Sequence, residues 1–352
     1  MELGLKEESD RLARSWLRHD ARVLGDYLVA GVEDPRINLQ SVLTRHFLAR
    51  VLAPGRFNTL MDQEYRFAAA MNWLMGLSGR LHDAEELELV LHALRQGADN
   101  AEGIEIPHFI GRTFQALPAA ADGLMVPNYI ESFLTGTRFA DGRAVAHEPS
   151  LECFRLLWNQ ALSADTLDPR PLTVLEPACG SANDYRFLHS YRLARRVSYT
   201  GFDLCAGNIG NARALFPDAR FEVGNVFEIA APDKAFDLCF AHDLFEHLSL
   251  AGMEAAVREV CRVTRRGLCI GFFNMDEIPE HRVQPVDEYH WNCLSMGRMK
   301  DLFAAGGFTA QVLHIGAFLR QQVGCEQTHN PNACTFFLRP AIEQSGGAAP
   351  DL

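Results

Sequence analysis

The sequence predicts an α/β protein in which helices cover both faces of a mostly parallel sheet, and an all-α region precedes that sheet. Up to about residue 150, apolar residues recur at spacings of three and four, which is typical of amphipathic helices. From residue 172, short apolar and β-branched runs alternate with helical segments, which indicates parallel strands buried on both faces. The 352 residues are 48% hydrophobic, so the chain can bury the core of one large domain or two ordinary ones.

The pattern of apolar residues in the N-terminal part predicts a series of helices separated by turns. Helical periodicity covers residues 9–29, 37–52, 65–77 and 83–97. Asp34-Pro35 and Pro54-Gly55 mark breaks between them. A turn-rich connector at 133–149 leads into another helix at 150–162. We therefore expect a helical region at 1–148, a sheet-containing domain at 149–340 and a flexible tail at 341–352.

Short apolar and β-branched runs in the C-terminal part predict seven strands. The first five lie at 172–178, 197–204, 220–225, 236–243 and 268–274, with helices between them at 183–194, 206–216, 226–230 and 249–264. A helix at 295–305 then precedes strands within 306–318 and 332–340. A short polar loop between these last two predicts an antiparallel end to the sheet.

Charge and composition exclude several classes of function. A formal net charge of -12 repels phosphate backbones and anionic membranes, so we expect a small-molecule substrate, no nucleic acid and no membrane. The charged first residues do not resemble a signal peptide, and no run approaches the roughly 18 apolar residues of a membrane span. These features predict a cytoplasmic protein. Cys325, His329 and Cys334 lack a fourth metal ligand, and the acids of 272–295 read as a solvated loop, so no metal site is predicted.

Two carboxylates follow neighbouring predicted strands, at the edge where open α/β sheets bind ligands. Glu176 ends the first strand and precedes a turn of small residues, 178–182, that lets the backbone approach a ligand. Asp203 ends the second strand, where a carboxylate can accept hydrogen bonds from two ribose hydroxyls. The alternatives are purely structural roles, in which Gly180 only closes the turn and Asp203 only caps the helix at 206–216. The dinucleotide fingerprint G-x-G-x-x-G is absent, because its third glycine would fall at Asn183.

The turn has the pattern D/E-x-G-x-G-x-G with Ala178 and Ala182 at the first and third glycine positions, and it resembles motif one of the class I S-adenosylmethionine (SAM)-dependent methyltransferases. The resemblance extends over residues 172–340 through "GFDL" (201–204), "VGNVFEI" (223–229), "FDLCFAHDLFEHL" (236–248), the "GF" of 307–308 and the final strand pair. It implies a Rossmann-like class I methyltransferase fold with an antiparallel last strand. It also implies SAM as co-substrate or substrate.

The resemblance also implies roles for particular residues. Glu176, Ala178, Gly180 and His242 would lie beside the methionine part of SAM. Asp203 would bind the ribose hydroxyls. Leu204 would pack on the adenine face, and Asn225 and the Val226 N–H would form hydrogen bonds with the adenine edge. Asn225 stands where the family usually has an aspartate. The candidates for catalysis are His242, Asp243, His247, Asn128 and Tyr129. His247 can equally be a structural histidine that caps the next helix.

Three functions remain open from the sequence. The favoured one is methyl transfer to a small metabolite or natural-product intermediate of secondary metabolism. The second resembles azetidine-2-carboxylate synthases, in which SAM cyclises and methylthioadenosine leaves. The third is a non-catalytic SAM-binding module. Adenine-N6 DNA methyltransferases are disfavoured, because they carry D/N-P-P-Y/F where this chain has Ala241-His242-Asp243-Leu244.

The N-terminal helices and the loop after the fifth strand are expected to enclose the ligand. The helices would form a homodimer, close the pocket, or do both, with Asn128, Tyr129 and Phe133 in a lid. Tyr289, His290 and Trp291 would form the opposite wall, where aromatic rings suit a cation.

Overall fold

The computed structural model describes residues 2–15, 34–78, 80–81, 84–110, 112, 138–140, 143–145, 152–163, 171–325, 328 and 330–341. Asn128, Tyr129 and Phe133 lie outside these ranges, as do His329 and all but the first residue of the predicted tail. Among the described helices, none combines the length and apolar character of a membrane span.

A seven-stranded sheet forms the centre of the C-terminal half. Its strands are β1 (Leu172–Pro177), β2 (Val197–Asp203), β3 (Arg220–Val223), β4 (Phe236–His242), β5 (Thr264–Phe272), β6 (Phe308–His314) and β7 (Cys334–Pro340). Their order is β3-β2-β1-β4-β5-β7-β6, with β1 to β5 parallel and β7 antiparallel to both of its neighbours. The order reverses beside β1, so the carboxyl ends of β1 and β4 flank a crevice where open α/β sheets bind ligands. The predicted mostly parallel α/β sheet with an antiparallel last strand is confirmed.

Nine helices of eight or more residues are described. They are α1 (Leu3–Ser15), α2 (Leu39–Leu52), α3 (Asn58–Ser78), α4 (Ala84–Gln96), α5 (Cys153–Ala161), α6 (Asn183–Ser190), α7 (Ala206–Leu215), α8 (Leu250–Val263) and α9 (Met296–Ala305). Shorter helical turns span Leu193–Arg196, Phe245–His247, Ile315–Phe318 and Leu319–Val323, and two-residue strands span Met275–Asp276, Pro285–Val286, Tyr289–His290 and Leu294–Ser295. Ser249 and Ser295 begin α8 and α9, because each hydroxyl accepts a hydrogen bond from a backbone N–H of the first turn.

Two local predictions in the C-terminal half are wrong. Residues 226–230 form a turn, because the Asn225 Oδ1 accepts a hydrogen bond from Phe227 N at 2.9 Å and competes with a helix. The link between β6 and β7 is not a short polar loop. It begins with the helical turns Ile315–Phe318 and Leu319–Val323, whose buried side chains include Ile315, Leu319 and Val323.

The N-terminal region contains the predicted helices together with two short hairpins. These hairpins pair Asn100–Ala101 with Ile104–Glu105 and Arg138–Ala140 with Arg143–Val145, so the region is not all-α. Of the helix predicted at 9–29, the described part ends at Ser15. The division of the chain at residue 148 stays a prediction.

Helix α2 packs against the sheet. The ring of Phe47 stacks on Phe337 of β7 with centroids 6.0 Å apart, and the Gln40 side-chain amide donates to the carbonyl of Phe272 at 2.7 Å. Residues 39–49 are all buried, because the helix lies between the sheet and other N-terminal helices. The N-terminal region therefore shares a hydrophobic core with the sheet.

A buried ionic cluster joins α2, α3 and α5. Glu64 accepts hydrogen bonds from Arg45 at 2.8 Å and from the Trp158 indole at 2.7 Å, and it lies 2.5 Å from His46 Nε2. Burial alone would raise the pKa of Glu64, but the charges and hydrogen bonds of Arg45 and His46 together outweigh it, and the pKa falls to about 2. Glu64 is therefore a buried anion with charged and polar partners.

Candidate active site

A cavity of about 740 Å³ opens at the carboxyl ends of β1, β2 and β4. Its lining includes every predicted cofactor-contacting residue, namely Glu176, Ala178, Gly180, Asp203, Leu204, Asn225, Val226 and His242. Asp243 and His247 also line it. The described structure thus brings these side chains to one place, while Asn128 and Tyr129 lie outside the described residues.

The turn after β1 has three residues in the left-handed region. The φ angles are 56° at Ala178, 54° at Gly180 and 71° at Ala182. Glycine adopts this conformation without strain, whereas an L-residue costs about 1–2 kcal/mol. The glycine pattern that the sequence partly matches is therefore explained by the backbone, and the two alanines carry the strain.

Asp203 fastens this turn to β2. Its carboxylate accepts from Gly180 N at 3.0 Å, from Cys205 N at 2.8 Å and from the Asn208 amide at 3.3 Å. Burial raises the pKa of Asp203, although these hydrogen bonds oppose the shift. Asp203 thus lines the cavity and also holds the turn, so the structural reading and the ligand-binding reading are compatible.

Glu176 lies deeper in the crevice. It is 3% exposed and accepts a hydrogen bond from the Tyr199 hydroxyl at 2.5 Å. Burial, together with the nearby charge of Asp184, raises the pKa of Glu176 well above its usual value. Glu176 is therefore a buried carboxyl at the end of β1 that is linked to β2 through the Tyr199 hydroxyl.

His242 is held at both ring nitrogens. Its Nδ1 lies 2.9 Å from Asp184 Oδ2, and its Nε2 lies 2.6 Å from the Thr44 hydroxyl of α2. Thr44 lies 3.1 Å from the Gln40 carbonyl and donates to it, so it accepts from Nε2. Burial would lower the pKa of His242, but the charge and hydrogen bond of Asp184, together with the charge of Asp243, outweigh burial and raise the pKa.

The His242–Asp184 contact is therefore best described as an ion pair that tethers α2 to the end of β4. With both nitrogens engaged, the geometry favours positioning over proton transfer for His242. Sequence reasoning missed Asp184 and Thr44. Asp184 lies in the first turn of α6, just beyond the small-residue motif, whereas Thr44 gives no signal on an apolar helix.

Asp243 and His247 are the other two predicted catalytic residues on the lining. Asp243 is exposed and has a φ of 50°, a left-handed conformation uncommon for a non-glycine residue. His247 Nδ1 donates to the carbonyl of His290 at 3.0 Å, and burial lowers the pKa of His247. The imidazole is therefore neutral near pH 7, and its Nε2 lone pair has no partner among the described residues.

Helix α1 covers the end of the cavity beside Asn225. Ser9 accepts a hydrogen bond from the Asn225 amide at 2.8 Å, and Leu12 lines the cavity. The Glu8 carboxylate accepts from Ser249 N at 2.7 Å and from Ser249 Oγ at 2.5 Å, at the start of α8. The sequence predicts that the N-terminal helices cover the pocket, but it singles out residues 128–133 rather than α1, because the polar contacts of α1 depend on tertiary docking.

Four aromatic rings form the far wall of the cavity: His247, Phe273, Tyr289 and Trp291. Tyr289 and Trp291 were expected there. His290 was also expected there, but it is not among the described residues that line the cavity, and its backbone carbonyl accepts the hydrogen bond from His247 Nδ1. Phe273 was not predicted. No Lys or Arg occurs among the described residues that line the cavity.

Comparisons with known proteins find similarity over the part of the chain that supplies many of the residues lining this cavity. Residues 174–267 match the family model described as a methyltransferase domain. A probable S-adenosylmethionine-dependent methyltransferase of Mycolicibacterium smegmatis is 26% identical over 140 residues, which cover 39% of this chain and 52% of that protein. The match thus spans about half the length of this curated relative.

The chain also matches solved structures that are distant in sequence. A Burkholderia thailandensis 1,6-didemethyltoxoflavin-N1-methyltransferase crystallised with S-adenosylhomocysteine is 16% identical, with a TM-score of 0.38, and the match covers 53% of this chain and 76% of that one. An O-methyltransferase from a Brevibacillus brevis polyketide synthase is 11% identical, with a TM-score of 0.40, and the match covers 53% and 72%.

Proposed function

We propose that this chain, whose C-terminal half is a class I SAM-dependent methyltransferase domain, binds SAM in the cavity described above and transfers its methyl group to a small-molecule acceptor. One observation carries the proposal. A single cavity joins the turn at 176–182 and Asp203 to a second set of side chains around His247. Its volume, about 740 Å³, falls within the range typical of small-molecule sites.

The lining fits SAM chemically. Carboxylates suit the positive sulfonium and the ribose hydroxyls, and Leu12, Leu204 and Val226 supply apolar surface for the adenine. The start of α6 follows the turn, so its backbone amides and helix dipole favour the methionine carboxylate. Bound SAM supplies an electrophilic methyl group.

The chain's own contribution is alignment and proton removal. Alignment of the two reactants provides most of the rate gain in a displacement of this kind. His247 is the group we assign to proton removal, because it lines the cavity and its neutral ring keeps an acceptor lone pair on Nε2. His242 holds α2 against β4 and keeps that wall in position.

Two features support a small acceptor, which we propose belongs to secondary metabolism. The net charge of -12 and the lack of Lys or Arg among the described lining residues disfavour a nucleic-acid substrate. The far wall is aromatic and concave, which suits a compact organic molecule. Homodimerisation through the N-terminal helices remains part of this proposal.

Incubation with SAM alone, and then with fractionated small-molecule extracts, tests the function by mass spectrometry of the adenosine product. We expect S-adenosylhomocysteine only when an acceptor is present. Methylthioadenosine from SAM alone would instead indicate cyclisation, and SAM binding without turnover would indicate a non-catalytic module.

The role of His247 is tested with His247→Gln, which we expect to lower kcat by about 10²–10⁴-fold with little change in SAM affinity. His108→Gln is the matched control, because His108 is 70% exposed and is not among the described residues that line the cavity. Equal kcat for His247→Gln and the wild type would remove His247 from the mechanism.

A further inference from the structure

We infer that the acceptor bears a cationic amino or ammonium group, and that this group binds against the cavity-facing side of the rings of His247, Phe273, Tyr289 and Trp291, which together we term the aromatic box. The inference rests on the proposed function, since it names the substrate class of the same cavity.

The geometry of the aromatic box leaves ring faces for a ligand. The His247 centroid lies 5.4 Å from Phe273, 5.4 Å from Tyr289 and 5.6 Å from Trp291, and Phe273 lies 4.7 Å from Trp291. The rings contact one another and are inclined by 34° to 80°, so a ligand does not fit between them, but all four residues line the cavity and present their remaining faces and edges to it. Trp291 remains 46% exposed. A cation within about 6 Å of such ring faces is attracted by their quadrupoles, most strongly by Trp.

The charge of the cavity favours the same ligand. Among the described lining residues, Glu176, Asp184, Asp203 and Asp243 carry carboxyl groups, and none is Lys or Arg. Asp184 is compensated by His242, and the pKa values of Glu176 and Asp203 are raised by burial. Asp243 is exposed and lines the same cavity four residues before His247. A phosphate or carboxylate acceptor would meet no Lys or Arg on this described lining, whereas an ammonium group would meet carboxylate and ring faces.

The chemistry of the box suits amine methylation. A protonated amine has no lone pair for attack, so His247 Nε2 first accepts one N–H proton. The amine nitrogen then forms a bond to the methyl carbon while the carbon–sulfur bond breaks, and that electron pair goes to sulfur. The products are a methylated ammonium ion and S-adenosylhomocysteine, and His247 returns its proton to solvent. A neutral His247 whose Nδ1 is fixed by a carbonyl presents its acceptor nitrogen for this step.

Calorimetry with choline and its uncharged isostere 3,3-dimethylbutan-1-ol tests the inference on the full chain saturated with S-adenosylhomocysteine. We expect choline to bind at least roughly tenfold more tightly, since two or more ring faces contribute cation–π attraction. Trp291→Leu should weaken choline binding roughly fivefold and leave the isostere nearly unchanged. Trp291→Phe is the matched control and should retain part of the preference, because it keeps an aromatic face.

The outcomes separate this inference from the proposed function. Failure of S-adenosylhomocysteine to bind would contradict the proposed function. Binding of S-adenosylhomocysteine without tighter binding of choline than of the isostere, including no detectable binding of either probe, would overturn the substrate class and leave the methyltransferase proposal standing.

Discussion

Replacement of Asp203 by Asn tests whether one carboxylate both fastens the turn and binds the nucleoside. The Asp203 carboxylate accepts backbone hydrogen bonds from Gly180 and Cys205, one on each oxygen. An asparagine of the same shape can accept only one of them, because its amide nitrogen faces the other N–H. One buried donor then loses its partner, which costs about 1–3 kcal/mol.

The expected net loss of stability is about 2 kcal/mol. Charge-assisted hydrogen bonds contribute about 1.5–3 kcal/mol, but the raised pKa of Asp203 shows that burial of the charge opposes them. The neutral amide recovers part of that burial cost. Affinity for S-adenosylhomocysteine should fall by a further ~2 kcal/mol, roughly 30-fold, because the ribose hydroxyls lose an anionic acceptor.

Urea denaturation measures the first quantity and calorimetry measures the second. Asp301→Asn in α9 is the control, since Asp301 is exposed and is not among the described residues that line the cavity. If Asp203→Asn matched this control in both measurements, the assignment of Asp203 to the turn and to the nucleoside would be wrong. A loss of stability with unchanged affinity would leave only the structural reading.

Three further predictions concern burial and docking. Burial and the charge of Asp243 raise the pKa of Glu246 to about 8, so the folded state retains a proton that the unfolded state releases above about pH 4.5. This proton stabilises the folded state fully below about pH 4.5, and the stabilisation is lost as pH rises through about 8. The unfolding free energy should fall by up to about 1.4 kcal/mol per pH unit over that range. Glu246→Gln should flatten this slope when the unfolding free energy is measured by urea denaturation. Glu64→Gln should lower the unfolding free energy at pH 7 by about 3–5 kcal/mol in the same assay, because it leaves Arg45 buried without its anion, and a loss under 1 kcal/mol would contradict the ionic assignment. Glu8→Ala should release α1 and speed its limited proteolysis, with exposed Glu7→Ala as the control, and equal cleavage of the two variants would show that the Ser249 contacts do not hold this helix.

The sequence predicts the C-terminal fold well because two local signals agree there. Alternating strands and helices indicate the parallel sheet, and the acidic residues at the ends of β1 and β2 mark its binding edge. The backbone conformation of Ala178, Gly180 and Ala182 explains why the small-residue turn is informative. Such signals depend on neighbours in sequence, so they can be read without tertiary structure.

What the sequence does not predict depends on distant partners. Thr44 and Asp184 are separated by 140 positions in the chain, yet both contact His242. Phe273 joins the aromatic wall only because the loop carrying Tyr289 and Trp291 folds back over it. Neither arrangement leaves a periodic pattern, because each residue taken alone has an ordinary local context.

The contacts of α1 and α2 imply that the N-terminal region takes part in forming the site. Helix α2 provides Thr44 to His242, and Ser41 lies 3.3 Å from Asp184, so this wall depends on residues before position 50. Helix α1 reaches Asn225 and Ser249 at the opposite end of the cavity. Because both ends use buried polar contacts with few alternatives, loss of either helix would leave unpaired polar groups on the lining. A truncated chain beginning at residue 149 should therefore bind S-adenosylhomocysteine more weakly than the full chain even if its sheet folds, and equal affinity would show that the cavity is complete without the helices.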